Sequence, residues 1–303
     1  MVQPAGPVRA LWACALCALL MALAVVAGGC ERRSDTTPPP ADAAAAHVVV
    51  TAGFGAEALL DGRVAPGGTV LDGLRALTPV KTAYGGGFVT DILGRGTDPG
   101  AQLAWLFWVD GVLADRGADQ IRLADGQEAW WDHHHWGGPE PAAVVGSWPL
   151  PFTRAPEVGA PGPLAAALAA AGATVRQGGG GAWRVIVGTD ADLRRTDPAW
   201  ARAAGDPEGE GLTATVRDGR VLVLDPSGES LREVPGAAAV AVAFPSSTDP
   251  AKGLVMAVAG TRPGAAEAAA ATIAARPEVL RGRLAVAFDA DGAPVRAAGR
   301  SGP

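Results

Sequence analysis

All three cysteines of the chain, Cys14, Cys17 and Cys30, lie within its first thirty residues. Whatever folds after residue 30 therefore does so without a disulfide, an iron–sulfur cluster, a thiolate zinc site or a cysteine nucleophile. Its stability has to come from buried apolar surface. The composition allows this, with 49% of the 303 residues hydrophobic and 18% charged. That length suits about two domains of ~100–200 residues each. With 25 Lys+Arg against 31 Asp+Glu and a net charge of −6, the chain lacks the basic stripe that a sequence-independent nucleic-acid binder needs.

The early cysteines also mark a targeting segment. Arg9 is the only charge before Cys30, Ala10 to Val26 is an apolar run, and Ala27-Gly28-Gly29 forms a small-residue exit. This pattern predicts a signal peptide over 1–29. Cys30 then stands where a bacterial lipoprotein lipobox carries its diacylated cysteine, with Ala27 in the place usually held by Leu. A plain transmembrane anchor or an ordinary signal peptide is the alternative, since the run sits at the short edge of a spanning helix, ~17–25 residues. Residues 30–46, with Thr36-Thr37-Pro38-Pro39-Pro40, read as a disordered tether. The expectation is a protein held at the extracytoplasmic face of the cell membrane by lipid on Cys30.

The first folded region runs over 47–140. His47 to Thr51 is β-branched and predicts a strand; Asp61-Gly62 is a turn signal and predicts a hairpin. Thr69 with Asp72 forms a capping box, Val70, Leu71, Leu74 and Leu77 form the apolar stripe behind it, and Pro79 ends the helix. Strands follow at Phe88–Leu93 and Ala104–Val109, the latter closed by Asp110-Gly111. Ile121–Leu123 and Glu128–Trp131 read as a final strand pair. A hairpin, one helix and several returning strands predict an α+β, β-grasp-like domain.

Three blocks carry a resemblance: Gly68-Thr69-Val70-Leu71-Asp72-Gly73-Leu74, Tyr84-Gly85-Gly86-Gly87-Phe88-Val89-Thr90, and Trp105-Leu106-Phe107-Trp108-Val109-Asp110-Gly111. With Leu123, Asp125-Gly126 and Trp130-Trp131-Asp132, they resemble a bacterial domain-of-unknown-function family related to the C-terminal domain of transcobalamin and intrinsic factor. The resemblance implies a β-grasp domain and, by analogy, one face of a corrinoid clamp. The helical barrel that completes that clamp in the animal proteins has no counterpart in this sequence.

Six of nine tryptophans fall between 105 and 148. Strand alternation puts Trp105 with Phe107 on one face and Leu106 with Trp108 on the other, and separates Trp130 from Trp131. One face packs on the helix. The other either presents aromatics to a ligand or is covered by the segment 139–151. The glycines at 85–87 let a ligand approach the backbone closely, so Tyr84, Gly86, Phe88, Trp105, Trp108, Trp131 and Trp136 are the candidate binding residues. Asp132-His133-His134-His135 is the one apparent metal cluster. His133 and His135 share a face, yet a zinc site needs a third ligand, and His47 is the only other histidine. No metal, cofactor or catalytic residue is assigned.

After a linker over 141–162, residues 163–296 alternate helices and strands and predict a small α/β sandwich with a mixed sheet; residues 297–303 read as a disordered tail. Leu164–Leu168 is helical and Gly178–Gly181 is a loop. Asp190 reads as an N-cap, Thr213 to Leu224 is a hairpin, and Arg262–Ala275 is a helix. Val187-Gly188-Thr189 and Val258-Ala259-Gly260-Thr261 are repeated strand-to-helix turns without a Walker or Gly-x-Gly-x-x-Gly pattern. No nucleophile elbow is present. The expected function is non-enzymatic capture of a small molecule, corrinoid-like or other, beside a membrane transporter; an envelope interaction module is the alternative.

Overall fold

The computed structural model describes residues 45–138 and 140–295. The signal peptide, Cys30, the tether up to residue 44 and the tail 297–303 lie outside the described residues. Among those described, no helix is long and apolar enough to cross a membrane.

The first sheet is built from β1 (Ala46–Ala52), β2 (Glu57–Val64), β6 (Leu103–Val109), β7 (Val112–Leu113) and β8 (Glu128–His135). Their order is β2–β1–β8–β6–β7, with β1 and β8 parallel at the centre and the other neighbours antiparallel. Helix α1 (Val70–Leu77) starts at Thr69, whose hydroxyl accepts from the Asp72 amide while the Asp72 carboxylate accepts from the Thr69 amide, the expected capping box. Val70, Leu71 and Leu74 of α1 pack on Val48, Val50, Trp105 and Trp131. This is the β-grasp layout. Between α1 and β6 a small antiparallel sheet is inserted, β3 (Val80–Ala83), β4 (Phe88–Ile92) and β5 (Arg95–Gly96).

Two local expectations need correction. The β1–β2 turn is at Gly53-Phe54-Gly55, where all three residues have positive φ, and β2 runs straight through Asp61-Gly62. A Cβ at Gly62 would fall 2.7 Å from Leu77 Cδ1, so this glycine makes room for α1 instead of turning the chain. Ile121–Leu123 is not a strand: Arg122 makes one bridge to Thr69 and the segment runs past the start of α1.

The second half adds β9 (Val158–Ala160), β10 (Val175–Gln177), β11 (Arg184–Thr189), β12 (Ala214–Arg217), β13 (Arg220–Leu224), β14 (Leu231–Glu233), β15 (Ala239–Pro245), β16 (Leu254–Gly260), β17 (Ala285–Phe288) and β18 (Pro294–Val295). Its main sheet is mixed, in the order β10–β9–β11–β16–β15–β17–β18. Strand alternation divides it cleanly: Ala239, Ala241 and Ala243 face one core, Val240, Val242 and Phe244 the other. The short helix α2 (Leu150–Thr153) leads in. Helices α3 (Gly162–Ala170) and α6 (Ala265–Ala275) cover the first face; α4 (Asp190–Thr196), α5 (Pro198–Gly205) and the β12–β13–β14 sheet cover the second. The N-cap of α4 is Thr189, which accepts from the Asp192 amide, and Asp190 is the first helical residue. Helix α6 begins at Ala265, later than Arg262, because Pro263 and Gly264, the latter with φ 85°, precede it. The two halves share apolar contacts: Val49, Phe54, Trp108, Trp130 and Val144 cluster with Leu224 of β13 and with Leu284, just before β17.

Candidate functional site

The β3–β4 hairpin presents the most exposed aromatic surface. Ala83 pairs with Phe88, and the turn between them is a single 3-10 turn over Tyr84–Gly86. Tyr84, Gly85 and Gly86 all have positive φ, 51°, 74° and 116°. For a tyrosine this left-handed backbone costs on the order of 1–2 kcal/mol. Burial does not offset the cost, because Tyr84 is 91% exposed. Its ring meets Phe88, itself 42% exposed, edge-on at 6.3 Å. Gly86 is buried beneath them, its α-carbon turned toward Leu71 and Asp119. Leu93, 45% exposed, stands separately at the far end of β4.

The tryptophans behave differently. Trp105 and Trp131 are buried in the α1 core, Trp105 donating its indole N–H to Arg95 O and Trp131 stacked on Phe107 at 4.4 Å. Trp108 is fully buried on the opposite face, against Trp130, and donates to Pro141 O. Read as candidate ligand contacts, these three are core residues, and a buried ring has no surface to offer. The cover on the outer face comes from the segment after β8, through Pro141 and Val144, and from Leu224 and Leu284 of the second half. Trp136 is half exposed just beyond β8, where its amide donates to Gln102 O. The candidate set thus contracts to Tyr84 and Phe88 over Gly86, with Trp136 standing separately.

The polar run on β8 also divides between faces. His133 bonds Gly96 O through Nε2 and packs on Trp105; burial keeps it below the ordinary histidine value, so it is neutral at pH 7. His135 accepts the Gly137 amide at Nδ1. On the opposite face Asp132 is fully buried and His134 nearly so. Asp132 accepts from His134 Nδ1 at 2.7 Å, from the Phe54 and Gly55 amides at 3.0 and 2.9 Å, and from the Thr51 hydroxyl. This network shapes the Gly53–Gly55 turn, and because its members are 77 to 81 positions apart in sequence except for His134, no local pattern announces it. His47 lies at the other end of the sheet, in register with Glu128, whereas His133 is in register with Ala52. It is therefore remote from the histidine run.

Residues 67–135 match the family model of a domain of unknown function (DUF4430). No curated protein matches the chain. Among solved structures, the crystal structure of a "putative metal binding protein" from Ruminococcus gnavus ATCC 29149 is similar over 30% of this chain and 97% of that one, with 18% identity and a TM-score of 0.26. The matched family segment spans α1 to β8 and contains the Tyr84–Phe88 turn, so the candidate surface lies inside the part of the chain that is similar to DUF4430.

Proposed function

We propose that this chain is a non-enzymatic binding protein, held at the extracytoplasmic face by lipid on Cys30, whose Tyr84–Phe88 turn captures a small molecule of the corrinoid kind for a membrane transporter. One observation carries this reading. A tyrosine held in a strained backbone conformation, left in water and touched only edge-on by Phe88 gains little from burial, and such strain is found where a side chain is aimed at a partner. Tyr84 combines an apolar ring with a hydroxyl, which suits a recognition surface. The alternative, an envelope interaction module, draws on Leu93, a further large apolar side chain left exposed on the same hairpin.

The test is a titration of the full chain with cobinamide, followed by tryptophan fluorescence. Saturable quenching is expected. Tyr84→Ala should weaken it by about 1–2 kcal/mol, roughly tenfold, with an unchanged thermal midpoint. Absence of saturation in the parent removes the corrinoid assignment, and equal binding by the variant removes the site. The anchor is tested separately: Cys30→Ser should move the protein from the membrane fraction to the soluble one. Full retention in the membrane would mean that the apolar run 10–26 spans it.

A further inference from the structure

We propose that the space beside Gly87, at the foot of the Tyr84–Phe88 turn, is a subsite for an N–H donor on the ligand, an ammonium or a primary amide, and that Asp119 is the residue that receives it. This rests on the reading that Tyr84 faces a ligand, and adds which chemical groups that ligand carries.

The argument begins with a glycine that the fold does not need. Gly87 closes the turn with φ −67° and ψ −24°, an ordinary right-handed backbone that any residue adopts. A Cβ built on it would come no closer than 3.5 Å to any atom beyond its chain neighbours, which is plain van der Waals contact. Its neighbours in the turn differ. Gly86 has φ 116°. At Gly117, which lies against the turn, a Cβ would stand 3.0 Å from Gly87 O and 2.6 Å from Asp119 Oδ1. Conformation accounts for one of these glycines and close approach for the other; neither accounts for Gly87. What a glycine leaves at this position is open space.

The surroundings of that space are of one kind. Beyond residues 86–88, the three heavy atoms nearest to the place a Cβ would take are all acceptor oxygens: Asp119 Oδ1 at 3.5 Å, Asp119 Oδ2 at 4.0 Å and Tyr84 O at 4.0 Å. Leu71 Cδ2 adds an apolar contact, 3.7 Å from the corresponding position at Gly86. Carboxylate and carbonyl oxygens only accept. A ligand carboxylate or phosphate is repelled here, whereas a ligand N–H finds acceptors. Among the described residues Asp119 has no hydrogen-bond or ion-pair partner of its own, and Arg116 is paired with Asp115. A charged acceptor without a protein donor is available for a charge-assisted hydrogen bond, about twice as strong as a neutral one.

The backbone holds this carboxylate in place. The Leu71 amide donates to Ala118 O at 3.0 Å and the Val70 amide to Ile121 O at 2.8 Å, so the loop is fastened to the first turn of α1 on both sides of Asp119. The Gln120 amide closes on Gly117 O at 2.9 Å, and Ala118 is fully buried in the α1 core. Asp119 therefore stands beside Gly86 and Gly87 before any ligand arrives, and little ordering cost remains to be met on binding.

The experiment follows the amide NMR signals of Gly86, Gly87 and Asp119 in the full chain as propylammonium, propionamide or propionate is added. Propylammonium and propionamide should shift all three signals, and the larger response identifies the donor as cationic or amide. Propionate should leave them in place. Gly87→Ala is the critical variant. Alanine suits the backbone at 87 and should hold or raise the thermal midpoint. Its methyl fills the space, so the shifts should vanish although Asp119 is still present. Asp119→Asn should weaken the propylammonium response. Parent and Gly87→Ala are then titrated with cobinamide, whose rim carries primary amides, and the variant should bind about tenfold more weakly. Equal shifts in parent and Gly87→Ala, as a bare surface carboxylate would give, overturn the subsite. So does a response to propionate as large as that to propylammonium. Equal binding of cobinamide by both chains overturns it too and leaves the Tyr84 reading intact. Amine or amide shifts without any cobinamide binding support the subsite and remove the corrinoid assignment instead.

Discussion

Asp132→Ala should cost the fold about 3–5 kcal/mol, the loss typical when one member of a buried charged network is removed. Four donors converge on this carboxylate: the Thr51 hydroxyl, the Phe54 and Gly55 amides, and His134 Nδ1. The Thr51 oxygen also accepts the Trp130 indole N–H at 2.7 Å, so the network reaches the apolar cluster shared by both halves. Removing the acceptor leaves buried N–H groups unpaired, at about 1–3 kcal/mol each. The turn they hold is tight. Gly55 has φ 74°, and a Cβ there would stand 2.5 Å from Gly282 O, so the chain cannot relax toward the second half. Asp132→Asn should cost less, because one oxygen still accepts and only the new amide meets a donor. Denaturant unfolding of both variants checks this; an Ala variant within 1 kcal/mol of the parent would show that the turn stands without the carboxylate.

That network also shows where sequence reading stops. The elements themselves were legible because their causes are local: the β-branched run for β1, the Thr69–Asp72 capping box for α1, the Asp110-Gly111 turn after β6. Alternation correctly divided Trp105 from Trp108 and Trp130 from Trp131. The segment 139–151 was readable as a cover for the outer face, and Pro141 and Val144 supply part of it; Leu224 and Leu284, which complete it, arrive from the other half of the chain and were not. The misplaced β1–β2 turn has the same origin. Asp61-Gly62 carries a strong local turn signal, whereas Gly53–Gly55 turns because a carboxylate 78 positions away from Phe54 accepts its amide. Tyr84 was readable as a candidate from its glycine neighbours. Asp119 was not, since only the fold lays its loop beside Gly87.

In the second half, Asp197→Asn should destabilise by about 3 kcal/mol at neutral pH, and most of that loss should disappear when Arg184 is replaced as well. Arg184 and Asp197 are both buried and pair fork to fork, Nε to Oδ2 and Nη2 to Oδ1, each at 2.7 Å. Arg184 Nη1 also donates to Gly181 O, and Asp197 Oδ1 accepts the Ala199 and Trp200 amides at the start of α5. The pair thus ties β11 to the glycine loop and to α5. Asn keeps an oxygen for the helix cap but leaves a buried guanidinium without its counter-charge, which is the costly step. Arg184→Met combined with Asp197→Asn removes that uncompensated charge and should recover most of the stability. The pH dependence follows from the same pair. Burial alone would raise the Asp197 carboxyl, but the Arg184 and amide bonds outweigh it and hold the group below its ordinary value. A depressed folded value means that the stability is present above the unfolded value, about 3.9, and is lost as pH falls through the folded one. The gap in unfolding free energy between parent and Asp197→Asn should therefore be constant from pH 7 to 5 and narrow below about pH 4. A gap that stays constant into strong acid, or a double variant no more stable than Asp197→Asn alone, would mean that the stabilisation comes from the cap and not from the ion pair.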